Sequence, residues 1–79
     1  MHELSIALEV IEMLEKNNYL EDIRIVNAIN LTIGNYSGID KNYLEFAFQN
    51  LGDDRFSEVI LNCDYNETDD IKVNEIIAD

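Results

Sequence analysis

The stretch Ile23-Arg24-Ile25-Val26-Asn27-Ala28-Ile29-Asn30-Leu31-Thr32-Ile33 decides the fold, because its apolar residues recur at every second position. This period is typical of a strand with one face turned to a core. Asn27 interrupts the apolar side and marks either a strand end or a bulge. One face is expected to carry Ile25, Ile29, Leu31 and Ile33, and the other Arg24, Val26, Ala28, Asn30 and Thr32.

Before this strand the apolar spacing is helical and predicts a first helix from about Glu3 to Lys16. The pair Asn17-Asn18 is a plausible stop for it. A second apolar stripe beside the main one widens the face that the helix can bury. The main stripe consists of Leu4, Ala7, Leu8, Ile11 and Leu14, and the second of Ile6, Val10 and Met13.

After the strand, the residues from Gly34 to Gly38 have the chemistry of a turn, and Asp40 is suited to cap a second helix. Gly52 is a glycine of the kind that ends helices. The segment Asp53-Asp54-Arg55 then turns the chain at the surface. The buried face of the second helix is expected to be Leu44, Ala47, Phe48 and Leu51, with Tyr43 and Phe46 beside it.

Two further strand-like segments complete the chain, and a polar loop from Tyr65 to Asp70 joins them. The loop has the length of a hairpin connection, so these strands are expected to pair. The order α-β-α-β-β predicts one α+β domain over residues 1–79, with two helices on one face of a three-stranded sheet. The alternating residues are Val59, Leu61 and Cys63 in the first segment, and Ile71, Val73 and Ile76 in the second.

The charge balance excludes several classes of partner. The formal net charge is −12, from 17 acidic and 5 basic residues. Nucleic acid and anionic membranes are therefore not expected to bind, because both require clustered Lys and Arg. No apolar run is long enough for a bilayer, and the acidic residues of the first helix argue against a secretory signal. We expect a cytoplasmic protein.

The single cysteine, Cys63, excludes an internal disulfide and a cysteine-rich zinc site within one chain. Its alternation with Val59 and Leu61 indicates a small core residue. No glycine-rich phosphate loop is present, and one histidine offers few options for acid–base catalysis. We therefore do not expect an enzyme. The acidic pairs Asp53-Asp54 and Asp69-Asp70 fit a weak divalent-ion site or, more often, solvated turns.

The opening Met1-His2-Glu3 has the chemistry of a metal chelate. The Met1 amine and the His2 backbone nitrogen would close a five-membered ring around a metal, and His2 Nδ1 a six-membered one. Glu3 could add its backbone nitrogen or its carboxylate. Nitrogen ligands in a plane suit Ni(II) or Cu(II) rather than tetrahedral zinc. On spacing alone, an exposed terminal histidine without a role is the more common case.

Several segments together resemble the HypA/HybF family of hydrogenase maturation nickel metallochaperones. The opening Met1-His2-Glu3-Leu4-Ser5-Ile6-Ala7 is similar to the family's start. Further similarity lies in Leu31-Thr32-Ile33-Gly34 with Ser37-Gly38-Ile39, in Leu44-Glu45-Phe46-Ala47-Phe48, and in the final segment from Asp70 to Ile76. The matches occur in the family's order and extend along nearly the full chain.

The resemblance implies that Met1, His2 and Glu3 bind Ni(II) for delivery to hydrogenase or urease apoenzymes. It also implies two partners, a maturation GTPase and the large subunit of the nickel enzyme. Members of the family carry a zinc domain with two Cys-x-x-Cys pairs between the last two strands. Here the loop from Tyr65 to Asp70 takes its place, so no bound zinc is expected.

Alternatives to nickel delivery stay open at this point. The chain could be a protein-interaction module, such as a paralogue or a zinc-domain-deleted form, that contacts the GTPase or the enzyme subunit without delivering metal. Its last strand lies at a sheet edge in the expected fold and could exchange between copies. The sequence is thus compatible with a monomer or a swapped homodimer.

Overall fold

Residues 26–33 of the stretch that alternates in sequence lie in the central strand of the sheet in a computed structural model, which describes residues 2–79. The strand begins three residues later than the stretch. This strand, β1, pairs with a parallel strand on one side and an antiparallel strand on the other, in the order β2-β1-β3. The α+β class and the α-β-α-β-β order are confirmed. The elements are α1 (Glu3–Lys16), β1 (Val26–Gly34), α2 (Lys41–Gln49), a 3-10 turn (Asp54–Phe56), β2 (Ile60–Asn66) and β3 (Ile71–Ala78).

The expected hairpin between the last two strands is wrong, because β1 lies between them. The connecting loop, residues 67–70, instead crosses over the end of β1. There the backbone N–H of Gly34 donates to Asp70 O at 2.8 Å, and that of Tyr36 to Thr68 O at 3.0 Å. Burial explains the order, since the inward residues of β1 are almost wholly buried while β2 and β3 are more polar. Loop length alone does not distinguish a hairpin from this crossing.

Asn27 is the site of a bulge, which resolves the alternative left by the sequence. The pairing of β1 with β3 shifts register between Val26 and Ala28, so the strand's alternation changes phase there. As a result Val26 is fully buried and Ile25 is 38% exposed, the reverse of the expected pattern. The inward positions of Ile29, Leu31 and Ile33 are confirmed.

The bounds of α1 match the expectation, but the buried face is rotated. Leu4 and Leu8, expected to be buried, are 52% and 49% exposed. The sheet and α2 cover the side of the second stripe, where Ile6 and Val10 are buried. Both stripes have helical spacing, and only the position of the neighbouring elements decides which is covered. The buried residues of α1 are Ile6, Ala7, Val10, Ile11 and Leu14.

Asp40 caps α2 as expected, since its carboxylate accepts from the backbone N–H groups of Asn42 and Tyr43. The helix ends at Gln49, before Gly52, which has a positive φ of 85° in the following turn. The 3-10 turn then places Phe56 in the core, where its ring lies 5.9 Å from that of Phe48. From sequence, only Asp53-Asp54-Arg55 was expected at the surface, where none of the three is buried, and no prediction was made for Phe56.

The hydrophobic core lies between the helices and the inner face of the sheet. No polar or charged residue among positions 2–79 is buried in it. Cys63 is partly buried and packs against this core, as expected for a small hydrophobe, and desolvation raises the pKa of its thiol. Neither helix in the described part of the chain is long and apolar enough to cross a membrane.

Candidate metal centre

His2 is the residue immediately before α1, at its N-cap. Its backbone is extended, with φ −85° and ψ 143°, and its carbonyl accepts the first helical hydrogen bond from Ile6 N–H at 3.2 Å. The side chain is exposed and makes no capping hydrogen bond to the helix. The imidazole is therefore available to a ligand from solvent. Met1, the third member of the expected chelate, lies outside the described residues.

Glu3 joins the start of α1 to the start of α2. Its Oε2 accepts from the backbone N–H of Asp40 at 3.1 Å. The pKa of the Glu3 carboxyl is lowered, chiefly by this hydrogen bond and further by the residue's own backbone N–H. Because the ionised form is favoured in the folded state, this hydrogen bond stabilises the fold at a pH above 4.5, the ordinary pKa of a glutamate carboxyl. It is lost as the pH falls below that value.

The carboxylates of Glu3 and Asp40 thus already have hydrogen-bond donors. Glu3 accepts from Asp40 N–H, and the Asp40 carboxylate accepts the two cap amides of α2. Among residues 2–79, no three or more His, Cys, Asp or Glu side chains are grouped so as to hold a metal ion.

The acidic pairs behave as turn residues. Asp53 caps the 3-10 turn and forms an ion pair with Arg55, with 2.7 Å between Oδ2 and the guanidinium. The side-chain hydrogen bond from Arg55 lowers the pKa of Asp53. Asp69 and Asp70 lie in and at the end of the loop that crosses β1. Neither pair forms, with a third side chain of the described residues, a group that could hold a metal ion.

A shallow depression beside His2, here called the N-terminal depression, is lined largely by apolar side chains. Tyr43 and Phe46, which project from α2, are 68% and 64% exposed. Tyr36, in the turn that follows β1, is also 71% exposed. Sequence spacing did not reveal this surface because it is formed where two helices meet. Its residues are His2, Glu3, Leu4, Tyr43, Phe46, Ala47 and Asn50.

Comparison with known proteins connects this geometry to one family. Residues 1–71 match the family model described as "Hydrogenase/urease nickel incorporation, metallochaperone, hypA". The hydrogenase maturation factor HypA of Syntrophus aciditrophicus is 36% identical over 58 residues, which are 73% of this chain and 51% of that protein. HypA of Psychromonas ingrahamii is 46% identical over 48 residues, 61% of this chain and 42% of that protein. The chain thus spans about half the length of these relatives.

A solved structure has the same fold. The solution structure of the Ni metallochaperone HypA from Helicobacter pylori superposes with a TM-score of 0.61, covering 100% of this chain and 87% of that one. Its sequence identity of 16% carries information on the fold alone. The family match includes His2 and Glu3 and ends at Ile71, the first residue of β3. The chain therefore belongs to the HypA family of hydrogenase and urease nickel-incorporation metallochaperones.

Proposed function

We propose that this chain binds Ni(II) at its N-terminus and donates it during maturation of hydrogenase or urease. Nickel is held by His2 Nδ1, the His2 backbone nitrogen and the Met1 amine, with Glu3 as the fourth contributor. The exposed His2 side chain on extended backbone, free of any capping role, is the observation that carries the proposal. The extended backbone leaves the His2 nitrogen outside the helix, where it can form a chelate ring with the imidazole.

Glu3 contributes its backbone nitrogen rather than its carboxylate. The carboxylate is already engaged by Asp40 N–H, and withdrawing it would leave that amide without its acceptor. The Glu3 amide belongs to the first turn of α1, whose N–H groups have no acceptor within the helix backbone. Its nitrogen adds a fourth nitrogen ligand, and nitrogen donors suit Ni(II).

The position at a helix start has a cost for a cation. The partial positive charge of the helix N-terminus opposes metal binding by about 0.3–1 kcal/mol. Deprotonated backbone nitrogens carry negative charge and offset this term at the metal itself. The remaining acidic surface, with a net charge of −12, adds a long-range attraction for the cation.

The recipients are the partners implied by the family resemblance, namely a maturation GTPase and the large subunit of the nickel enzyme. The N-terminal depression supports transfer to a protein at this end of the molecule. Its exposed Tyr43 and Phe46 offer apolar area next to His2, of the type found at the centre of protein interfaces.

Nickel titration at fixed pH tests the site directly, using calorimetry on three proteins. These are the native chain with a free terminus, His2→Ala, and a protein with Gly-Ser added before Met1. We expect His2→Ala and the extended protein each to bind at least about 100-fold more weakly, because each loses one ligand and one chelate ring. Glu3→Ala serves as the matched comparison: it should bind nickel nearly as the native chain does, since it retains the backbone nitrogen.

The pH dependence is a second readout of the same site. Imidazole, amine and amide nitrogens must all be deprotonated to bind, so affinity should decrease steadily from about pH 8 to about pH 6. Tight binding by the extended protein would place the nickel elsewhere. If the native chain binds no nickel yet associates with a maturation partner, the chain is an interaction module and delivery is not its function.

A further inference from the structure

The two edge strands of the sheet, β2 and β3, differ in how far side chains cover their outward backbone groups. On the β2 side, the Glu45 carboxylate accepts from Leu61 N–H at 2.9 Å, and the Gln49 amide donates to Val59 O at 2.8 Å. Both side chains come from α2, one helical turn apart. They occupy backbone groups that a further strand would need, so this edge is closed to strand addition over its first half.

The β3 edge has no such cover in the described chain, where β3 pairs with β1 alone. Asp70 O accepts from Gly34 N–H and therefore points towards β1. Because backbone groups alternate in direction along a strand, the N–H and C=O groups of Ile71 and Val73 point away from the sheet. These are the groups with which an added strand would form hydrogen bonds.

The surroundings of this edge indicate what kind of segment it accepts. Two depressions lie along it between α1 and β3. The first lies at the start of β3 and is lined by Ile6 and Glu9 of α1 together with Asp69 and Asp70. The second lies at the later part of β3 and is lined by Met13 of α1 together with Tyr19. Met13 and Tyr19 are 37% and 59% exposed, which provides apolar contact.

The charge at this edge favours a basic segment over a second copy of the chain as the added strand. Glu9, Asp69 and Asp70 place three carboxylates at the start of this edge. A second copy of the chain would bring its own net charge of −12 to an already acidic surface. A basic segment would instead be attracted, and apolar residues alternating along it could contact Met13 and Tyr19.

We propose that the free edge of β3 binds an extended basic segment of a partner protein as a fourth strand. The backbone groups of Ile71 and Val73 supply the hydrogen bonds, and the carboxylates near the start of β3 select for Lys and Arg. The surface lies along α1 and β3 rather than at His2, so the inference does not depend on nickel binding. It identifies a second contact region for a partner.

A synthetic peptide of alternating lysine and valine, as long as β3, serves as the probe. Fluorescence anisotropy measures its affinity, and amide chemical shifts locate its site on the protein. We expect shifts confined to β3 and the adjoining side of α1, together with a strong decrease in affinity with salt. A peptide of equal charge with alternate valines replaced by proline should bind much more weakly, because proline lacks the N–H that strand pairing needs.

Two sets of variants test the two parts of the proposal. Val73→Pro removes one outward N–H and should weaken binding about threefold to tenfold, as expected for one hydrogen bond. Glu9→Gln with Asp69→Asn should weaken binding and reduce its salt dependence. Glu58→Gln with Asp64→Asn is the matched control, with the same charge change just before and within β2 instead of at the start of β3, and should retain most of the affinity. Circular dichroism verifies that each variant is folded.

Three outcomes would overturn the proposal. Equal affinity for the proline-containing peptide would mean that binding is electrostatic alone. An equal loss of affinity in the two double charge variants would mean that the carboxylates near β3 contribute no more to binding than carboxylates elsewhere. A dimer that dissociates with Val73→Pro, in a protein that does not bind the peptide, would assign the edge to a second copy of the chain. The charge variants keep the test decisive if Val73→Pro fails to fold.

Discussion

Gly34 illustrates how a single residue permits the fold. The sequence indicates only that this glycine begins a turn. In the structure the crossing loop passes directly over it, and an added Cβ would meet the Thr68 carbonyl, which is backbone and has little freedom to move. The glycine is therefore required by a close approach from a distant part of the chain, and no local pattern could reveal that.

Gly34→Ala should destabilise the protein by about 1–3 kcal/mol, the usual cost of overpacking. Urea denaturation gives the free energy of unfolding. The loop should also loosen, so hydrogen exchange should accelerate at Tyr36, whose N–H donates to Thr68 O. Gly52→Ala is the control, because its Cβ meets nothing within 4 Å although its φ is +85°. It should lose stability without faster exchange at Tyr36, and unchanged exchange in Gly34→Ala would contradict the proposed contact.

The individual residues of the candidate site were only partly predictable from sequence. The chain order alone places His2 before a helix and makes Asp40 a cap, because both depend on near neighbours. The hydrogen bond from Asp40 N–H to Glu3 links residues 37 positions apart, and the sequence contains no local signal for it. The exposure of Tyr43 likewise follows from how α1 and α2 meet.

Among the elements, β1 and α1 show where periodicity is sufficient and where it fails. The change of period correctly identifies a strand after a helix, and the bounds of α1 follow from its apolar repeat. Periodicity does not fix which residues face inward, since the bulge at Asn27 buries Val26 and leaves Ile25 partly exposed. The position of β1 between the other strands depends on burial, which a hairpin-length loop does not encode.

The bulge predicts opposite sensitivities for two neighbouring residues. Val26→Ala should cost about 2 kcal/mol of unfolding free energy, because it leaves a cavity at a fully buried site. Ile25→Ala removes a larger side chain yet should cost less than about 1 kcal/mol, since Ile25 is 38% exposed. Urea titration of both variants measures the difference. A larger loss for Ile25→Ala would place the phase change elsewhere and contradict the bulge at Asn27.

For the whole molecule, one apolar core connects the helices with the sheet, and no thiolate cluster contributes to it. The described residues include no buried polar or charged side chain and no group of three metal ligands. The hydrogen bonds that hold the crossing loop are backbone contacts to residues near the end of β1. The fold is therefore expected to form without a metal, even though the function we propose is to bind one.

Thermal unfolding with and without a strong chelator tests this separation of folding from binding. The midpoint should not change with chelator, whereas a structural metal worth only about 1 kcal/mol would shift it by about 4–8 °C. Nickel added to metal-free native protein should raise the midpoint, because a ligand that binds the folded state stabilises it by mass action. His2→Ala should lose that rise while keeping the same midpoint without nickel. If chelator lowers the midpoint of native protein and His2→Ala alike, a structural metal lies outside the N-terminal site and the fold depends on it.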